Sequence, residues 1–315
     1  MSLAFVFPGQ GSQWAGMGRE LALWSSAAKE TFEEADDALG FAISRICFEG
    51  PEEDLRLTEN TQPAILTASI AAFRVLMSNV DLIPLCVAGH SLGEYSALVA
   101  AGSMAFTDAV RAVRERGRAM QEAVPAGRGA MAALLGMERE EVQSICEEAT
   151  AGEGLVSPAN YNAPGQVVIA GHRENVLLAI EIFRERGGKK AVELPVSAPF
   201  HCALMEPAAV RMQEVLKDIH IDRPKTVLIN NAKAVTLSEA EQIAPSLVMQ
   251  VTSPVLWEDS VRVMVEKGVG TFLELGPGKV LTGLVKRIDR NVEALSIETP
   301  DDFEAVTALL EDGDV

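Results

Sequence analysis

Basic residues are scarce in this chain: 27 Lys and Arg stand against 45 Asp and Glu over 315 residues, a formal net charge of −18. A polyphosphate backbone would be repelled over most of such a surface, which argues against a nucleic-acid partner. Cysteine is sparse as well. Cys47, Cys86, Cys146 and Cys202 form no CxxC pair and no His/Cys cluster at metal-ligand spacing, so neither a disulfide scaffold nor a metal site is expected. Long apolar runs are missing too, since the most apolar stretch, 64–77, falls short of a membrane span and contains Arg74. The opening residues Met1 to Pro8 carry no basic leader, and the expected location is cytoplasmic.

What is present is the composition of an ordinary folded protein, 48% apolar and 23% charged, which excludes disorder and collagen-like repeats. The length predicts one large domain or two of unequal size. Compact runs of β-formers occur at Ala4 to Phe7, Leu85 to Ala88, Thr226 to Ile229 and Thr271 to Leu275, each reading as a buried strand. Between them lie segments with helical periodicity, at Glu20 to Leu39, Pro63 to Met77, Thr107 to Glu122, Ala203 to Ile219 and Leu256 to Lys267. Strands alternating with helices imply a mainly parallel α/β sheet.

One stretch departs from that alternation. From Gly129 the pattern reads strand (Ala130 to Leu135), helix (Glu138 to Thr150), strands (Leu155 to Asn160, Val167 to Gly171), helix (Arg173 to Arg186) and strand (Lys190 to Leu194). That βαββαβ order is the ferredoxin-like plan. A small domain at 126–196, inserted into a discontinuous large domain of 1–125 and 197–315, is therefore expected, with turn residues at Pro125 to Arg128 and Pro195 to Pro199.

Gly89-His-Ser-Leu-Gly93 follows a strand-like run and precedes an apolar helix pattern, the context in which G-x-S-x-G lifts a serine above a sheet at a sharp turn. The helix N-terminus behind the hydroxyl offers unpaired N–H groups to a developing oxyanion. Ser91 is thus a candidate nucleophile, with a simple helix N-cap as the alternative. A serine nucleophile needs a base, most often histidine, and there are four. His90 adjoins Ser91 and should point elsewhere. His172 ends a small-domain strand, and His220 lies in a charged stretch that reads as solvated surface. His201 sits in the 197–201 loop where the chain returns to the large domain, and the residues alone leave it open between base and structural histidine.

The loop Phe7-Pro-Gly-Gln-Gly-Ser-Gln13 is not a dinucleotide fingerprint, because Trp14 stands where a glycine is needed. Gly276-Pro-Gly-Lys279 likewise lacks the first glycine and the Ser/Thr of a phosphate loop. Both loops end strands at the edge where α/β sheets carry their sites, so Gln10 or a neighbouring amide is a candidate second oxyanion donor. On the helix at 109–121, Arg111, Arg114 and Arg118 share one face that reads as solvated, whereas Arg116 points elsewhere and is the candidate inward residue.

Phe7 to Gln13, Thr61-Gln-Pro-Ala64, Gly89-His-Ser-Leu-Gly-Glu94, Arg116-Gly117, Pro199-Phe-His201, Gln250-Val-Thr252 and Glu274-Leu-Gly-Pro-Gly278 together resemble the malonyl-CoA:acyl carrier protein transacylases of bacterial fatty acid synthesis, in order from about residue 3 to residue 290. The resemblance implies that malonyl-CoA acylates Ser91 and that the phosphopantetheine thiol of acyl carrier protein then takes the malonyl group, a ping-pong transfer. Coenzyme A thioester is substrate here, and no cofactor or metal is implied. His201 is implied as base, the amides of Gln10 and Leu92 as the oxyanion hole, and the main-chain carbonyl of Gln250 as the group that orients His201. Arg116 is implied as the clamp for the free malonyl carboxylate, whose two oxygens suit a planar guanidinium. Gln62, Asn160 and Phe200 fall at positions that line the family's pocket, and Phe200 is similar to the residue in malonyl-selective members. An acidic carrier protein would need a local basic patch, for which the Arg111/Arg114/Arg118 face, Lys189-Lys190 and Lys286-Arg287 are candidates. Two other classes compete: a serine hydrolase with the same turn and base, and a non-catalytic binding module that keeps the fold.

Overall fold

The computed structural model describes residues 2–150, 154–196 and 198–312, so Ser197, where the second segment of the large domain was expected to begin, lies outside the described residues. Among the described residues ten strands form two sheets: β1 (Leu3–Phe7), β2 (Cys86–Gly89), β3 (Gly129–Leu135), β4 (Val156–Ala163), β5 (Gln166–His172), β6 (Lys190–Glu193), β7 (Val227–Ile229), β8 (Thr236–Leu237), β9 (Thr271–Leu275) and β10 (Glu293–Ile297). The larger sheet runs β10-β9-β1-β2-β7-β8, parallel except for the last pair. All five residues of β1 are buried. Leu3, Phe5 and Phe7 pack into one core layer, Ala4 and Val6 into the other. Helices thus cover both faces, and each fully buried Phe, Leu or Val contributes about 1.5–3 kcal/mol.

The smaller sheet is antiparallel in the order β4-β5-β3-β6, with helices Arg139–Ala149 and Arg173–Glu185 as its crossovers. The βαββαβ reading of 129–194 is therefore the observed plan, and the α/β class with an antiparallel companion sheet holds. Backbone joins the two sheets' surroundings: Tyr161 N–H donates to Val255 O and Val255 N–H to Ala159 O, both at 2.9 Å. Among the described residues no helix is long and apolar enough to cross a membrane.

Three local expectations change. The helix expected over Glu20 to Leu39 is two, Arg19–Trp24 and Ser26–Leu39, broken at Ser25, whose backbone is extended at φ −126, ψ 131. Serine competes for backbone hydrogen bonds and tolerates such a break. The helix expected from Pro63 begins at Thr58 and carries Pro63 inside it. Proline has no N–H for the carbonyl of Glu59 one turn earlier, and Arg114 Nη1 donates to that oxygen instead at 3.3 Å. On the Arg111/Arg114/Arg118 face, Arg111 is exposed as its spacing suggests, whereas Arg114 and Arg118 are only partly so. Arg114 lies over the Phe41 ring and pairs with Glu59, and Arg118 pairs with Glu59 and Glu115.

Candidate active site

The carboxyl ends of the neighbouring strands β1 and β2 bring Gln10 and His90 to Leu92 to one crevice, beside the strand where the chain's order in the sheet reverses, which is where open α/β sheets place ligands. β2 ends at Gly89 and the helix Gly93–Ala100 starts four residues later. A Cβ at Gly89 would sit 1.9 Å from Gly93 O, and one at Gly93 would sit 2.1 Å from Phe7 O, so only glycine permits this turn so close to β1. Ser91, at its apex, holds φ 52.

Ser91 Oγ lies 2.6 Å from His201 Nε2, and His201 Nδ1 lies 2.9 Å from the main-chain oxygen of Gln250. A carbonyl only accepts, so Nδ1 carries the proton, and the lone pair of neutral His201 is on Nε2, facing the hydroxyl. Burial, reinforced by the Arg116 charge, pushes His201 from 6.5 down to about 3. The imidazole is thus held neutral and able to take a proton.

Arg116 is buried on the inner side of helix Phe106–Glu122, as its spacing against the other three arginines predicts. Its Nη2 donates to Ser91 Oγ at 3.0 Å and to Gln250 Oε1 at 2.9 Å, and Nη1 donates to Gln62 Oε1 at 2.8 Å. Among the described residues no carboxylate forms an ion pair with it. Burial lowers its pKa, opposed by Tyr95 and Glu94. The guanidinium therefore presents positive charge to the hydroxyl from within the wall.

One cavity brings together Gln10, Gln62, Ser91, Leu92, Arg116, Asn160, Phe200 and His201, eight of the nine residues singled out from the sequence. Gln250 is the ninth, and it stands behind the wall, fully buried. The rest of the lining is His90, Met120, Met131, Leu194 and Val196, of which the last three come from β3 and the segment after β6. Sequence reasoning passed over these apolar residues because nothing local separates them from core. His90 turns away from Ser91, with Nε2 2.8 Å from Asn162 Oδ1 on β4. His172 Nδ1 accepts the Leu155 N–H, and His220 lies on the exposed surface near Asp222.

Two further residues, given no role from the sequence, support the site from behind. Asn231, after β7, accepts the Ser91 N–H on Oδ1 at 2.6 Å and donates from Nδ2 to Gly89 O at 2.7 Å, bracketing the turn. Glu94 is buried within helix Gly93–Ala100, and its Oε2 accepts from Asn231 N–H at 2.9 Å and Gln250 Nε2 at 2.8 Å. Desolvation raises Glu94 to about 7 against those two bonds and Arg116. An asparagine pair at the end of a strand-like run was the only trace of Asn231 in the sequence.

Residues 4–299 match the family model described as acyl transferase domain. The malonyl CoA-acyl carrier protein transacylase of Bacillus subtilis (strain 168) is 47% identical over 99% of this chain and 98% of its own. The chain belongs to the malonyl CoA-acyl carrier protein transacylase family. Among solved members of that family, the acyl-carrier-protein S-malonyltransferase of Bartonella henselae superposes with a TM-score of 0.96 at 46% identity, covering 99% of this chain and all of that one. A malonyl-transacylase solved in complex with a type II polyketide acyl-carrier protein superposes at 0.95, with 45% identity over 99% of this chain and all of its own. The transacylase fold thus spans essentially the whole chain, and the protein is an acyltransferase.

Proposed function

We propose that the chain moves a malonyl group from malonyl-CoA to the phosphopantetheine thiol of acyl carrier protein, for fatty acid biosynthesis, through a malonyl-Ser91 intermediate. The single observation that carries the reading is the convergence of a neutral imidazole and a buried guanidinium on one hydroxyl, at 2.6 and 3.0 Å. The names of relatives at nearly half identity support the substrate pair.

In this reading the Ser91 proton passes to His201 Nε2 as Oγ attacks the thioester carbonyl. The tetrahedral oxyanion faces the amides of Gln10 and Leu92, at the start of helix Gly93–Ala100. Collapse breaks the carbon–sulfur bond, and the departing coenzyme A thiolate takes the proton back from His201. The carrier thiol then repeats the sequence in reverse. Arg116 holds the malonyl carboxylate with Nη1 and Nη2, exchanging neutral partners for a charged one, while Gln62, Asn160 and Phe200 bound the acyl chain. The Gln250 carbonyl fixes the His201 tautomer without adding a full charge. The reading takes 126–196 as a small inserted domain that supplies one wall of the pocket.

Radiolabelled malonyl-CoA, incubated with and without holo acyl carrier protein, tests the transfer. Label on the carrier is expected. Release of free malonate at the same rate without carrier would make the protein a hydrolase, and no turnover of label at all would make it a binding module.

A further inference from the structure

Glu94 closes the Gly89-His-Ser-Leu-Gly-Glu94 motif, is fully buried, and touches no reacting atom in the scheme above. Only one of its oxygens is engaged. Oε2 accepts both the Asn231 N–H and the Gln250 Nε2–H, and Oε1 is buried with no hydrogen-bond partner among the described residues. Each donor it holds leads to the nucleophile. Asn231 grips the Ser91 N–H and Gly89 O. Gln250 donates from Nε2 to Ser91 O at 2.9 Å, accepts Arg116 Nη2 on Oε1, and presents its main-chain oxygen to His201.

We propose that Glu94 is the positioning residue of this site: one carboxyl oxygen ties Asn231 to Gln250 and so holds Ser91, Arg116 and His201 in register. The assignment rests on the acyl-transfer reading above. A carboxamide oxygen at the place of Oε2 accepts the same two N–H groups, so the function resides in reach and not in charge. The environment agrees, since burial raises the carboxyl to about 7 and a neutral isostere is close to what the site already holds. A side chain shorter by one methylene withdraws that oxygen from Gln250 while keeping the charge.

The test is the order of two variants, measured as malonyl-CoA and acetyl-CoA acylation of Ser91 alongside the native protein. Glu94→Gln is expected to keep malonyl acylation within about threefold of native, and Glu94→Asp to lose about tenfold or more, the value of one hydrogen bond. The loss in Glu94→Asp is expected in kcat more than in KM, with a narrowed malonyl-to-acetyl ratio because Arg116 is loosened; a purely structural role would lower stability and leave that ratio in place. Glu94→Asp as active as native, or more active than Glu94→Gln, overturns the assignment. Should Glu94→Asp fail to fold, Glu94→Gln alone decides, since a loss well beyond threefold contradicts a role that needs no charge. If the native protein forms no acyl-Ser91 in the same assay, the acyl-transfer reading itself has failed, and that outcome is separate from any ranking of the variants.

Discussion

Ser91 and His201, 110 positions apart in the chain, both hold left-handed backbone, at φ 52 and φ 61, where their side chains meet. A β-carbon is disfavoured there, and the strain persists because Asn231, Gln250 and the packed glycine turn fix the surroundings. A stability order opposite to that of a helix interior follows. Ser91→Gly and Ser91→Ala both remove the hydroxyl, yet the glycine variant is expected to be more stable by about 1 kcal/mol. Urea midpoints of the two variants check this, and an alanine variant at least as stable as the glycine one would show that the turn stores no strain.

Arg116→Ala removes a buried cation that faces the hydroxyl. If pairing with the malonyl carboxylate contributes about 1.5–3 kcal/mol, malonyl transfer should fall by one to two decades while acetyl transfer falls less. The ratio of the two rates is the measurement. An unchanged ratio would deny Arg116 its part in selectivity.

How much of this was legible beforehand depended on how local each signal is. β1 and β2 are continuous apolar runs, visible because strands covered on both faces need no polar alternation. Arg116 could be singled out because helical spacing sets it off its three neighbours. β8, two residues long, and β10, whose Glu293-Ala-Leu-Ser-Ile297 mixes polar and apolar positions, left no such run. Arg114 and Asn231 were obscure for a different reason. One satisfies a carbonyl freed by Pro63 on another helix, and the other brackets a turn 140 residues away. Such contacts exist only once the sheet has brought distant segments together.

The titration of His201 predicts an unusual acid limb. Its conjugate acid is held near 3, so the base stays neutral well below the ordinary histidine range. Single-turnover acylation of Ser91 followed from pH 8 to pH 5 should show no histidine-type loss around 6.5. A clear inflection near 6.5 would mean that the imidazole is better solvated than its burial implies.

Glu94 contributes to stability with the opposite sign to an ordinary surface carboxylate. Folded, it keeps its proton up to about 7, whereas the unfolded chain releases it above about 4.5, so this contribution is present in acid and lost as pH rises between those values. Relative to the native protein, Glu94→Gln should therefore gain stability from pH 4.5 to pH 7.5, by up to about 3 kcal/mol. Denaturant unfolding at the two pH values gives the difference directly, and a constant difference would remove the buried proton from the account.

The most direct measurement is a mass spectrum of the protein and its peptides after brief exposure to malonyl-CoA. A single malonyl group on the peptide that contains Ser91, absent from Ser91→Ala and discharged by holo acyl carrier protein, is the predicted result. An adduct on another residue, or transfer to the carrier in full with Ser91 replaced by alanine, would contradict the covalent route through this hydroxyl.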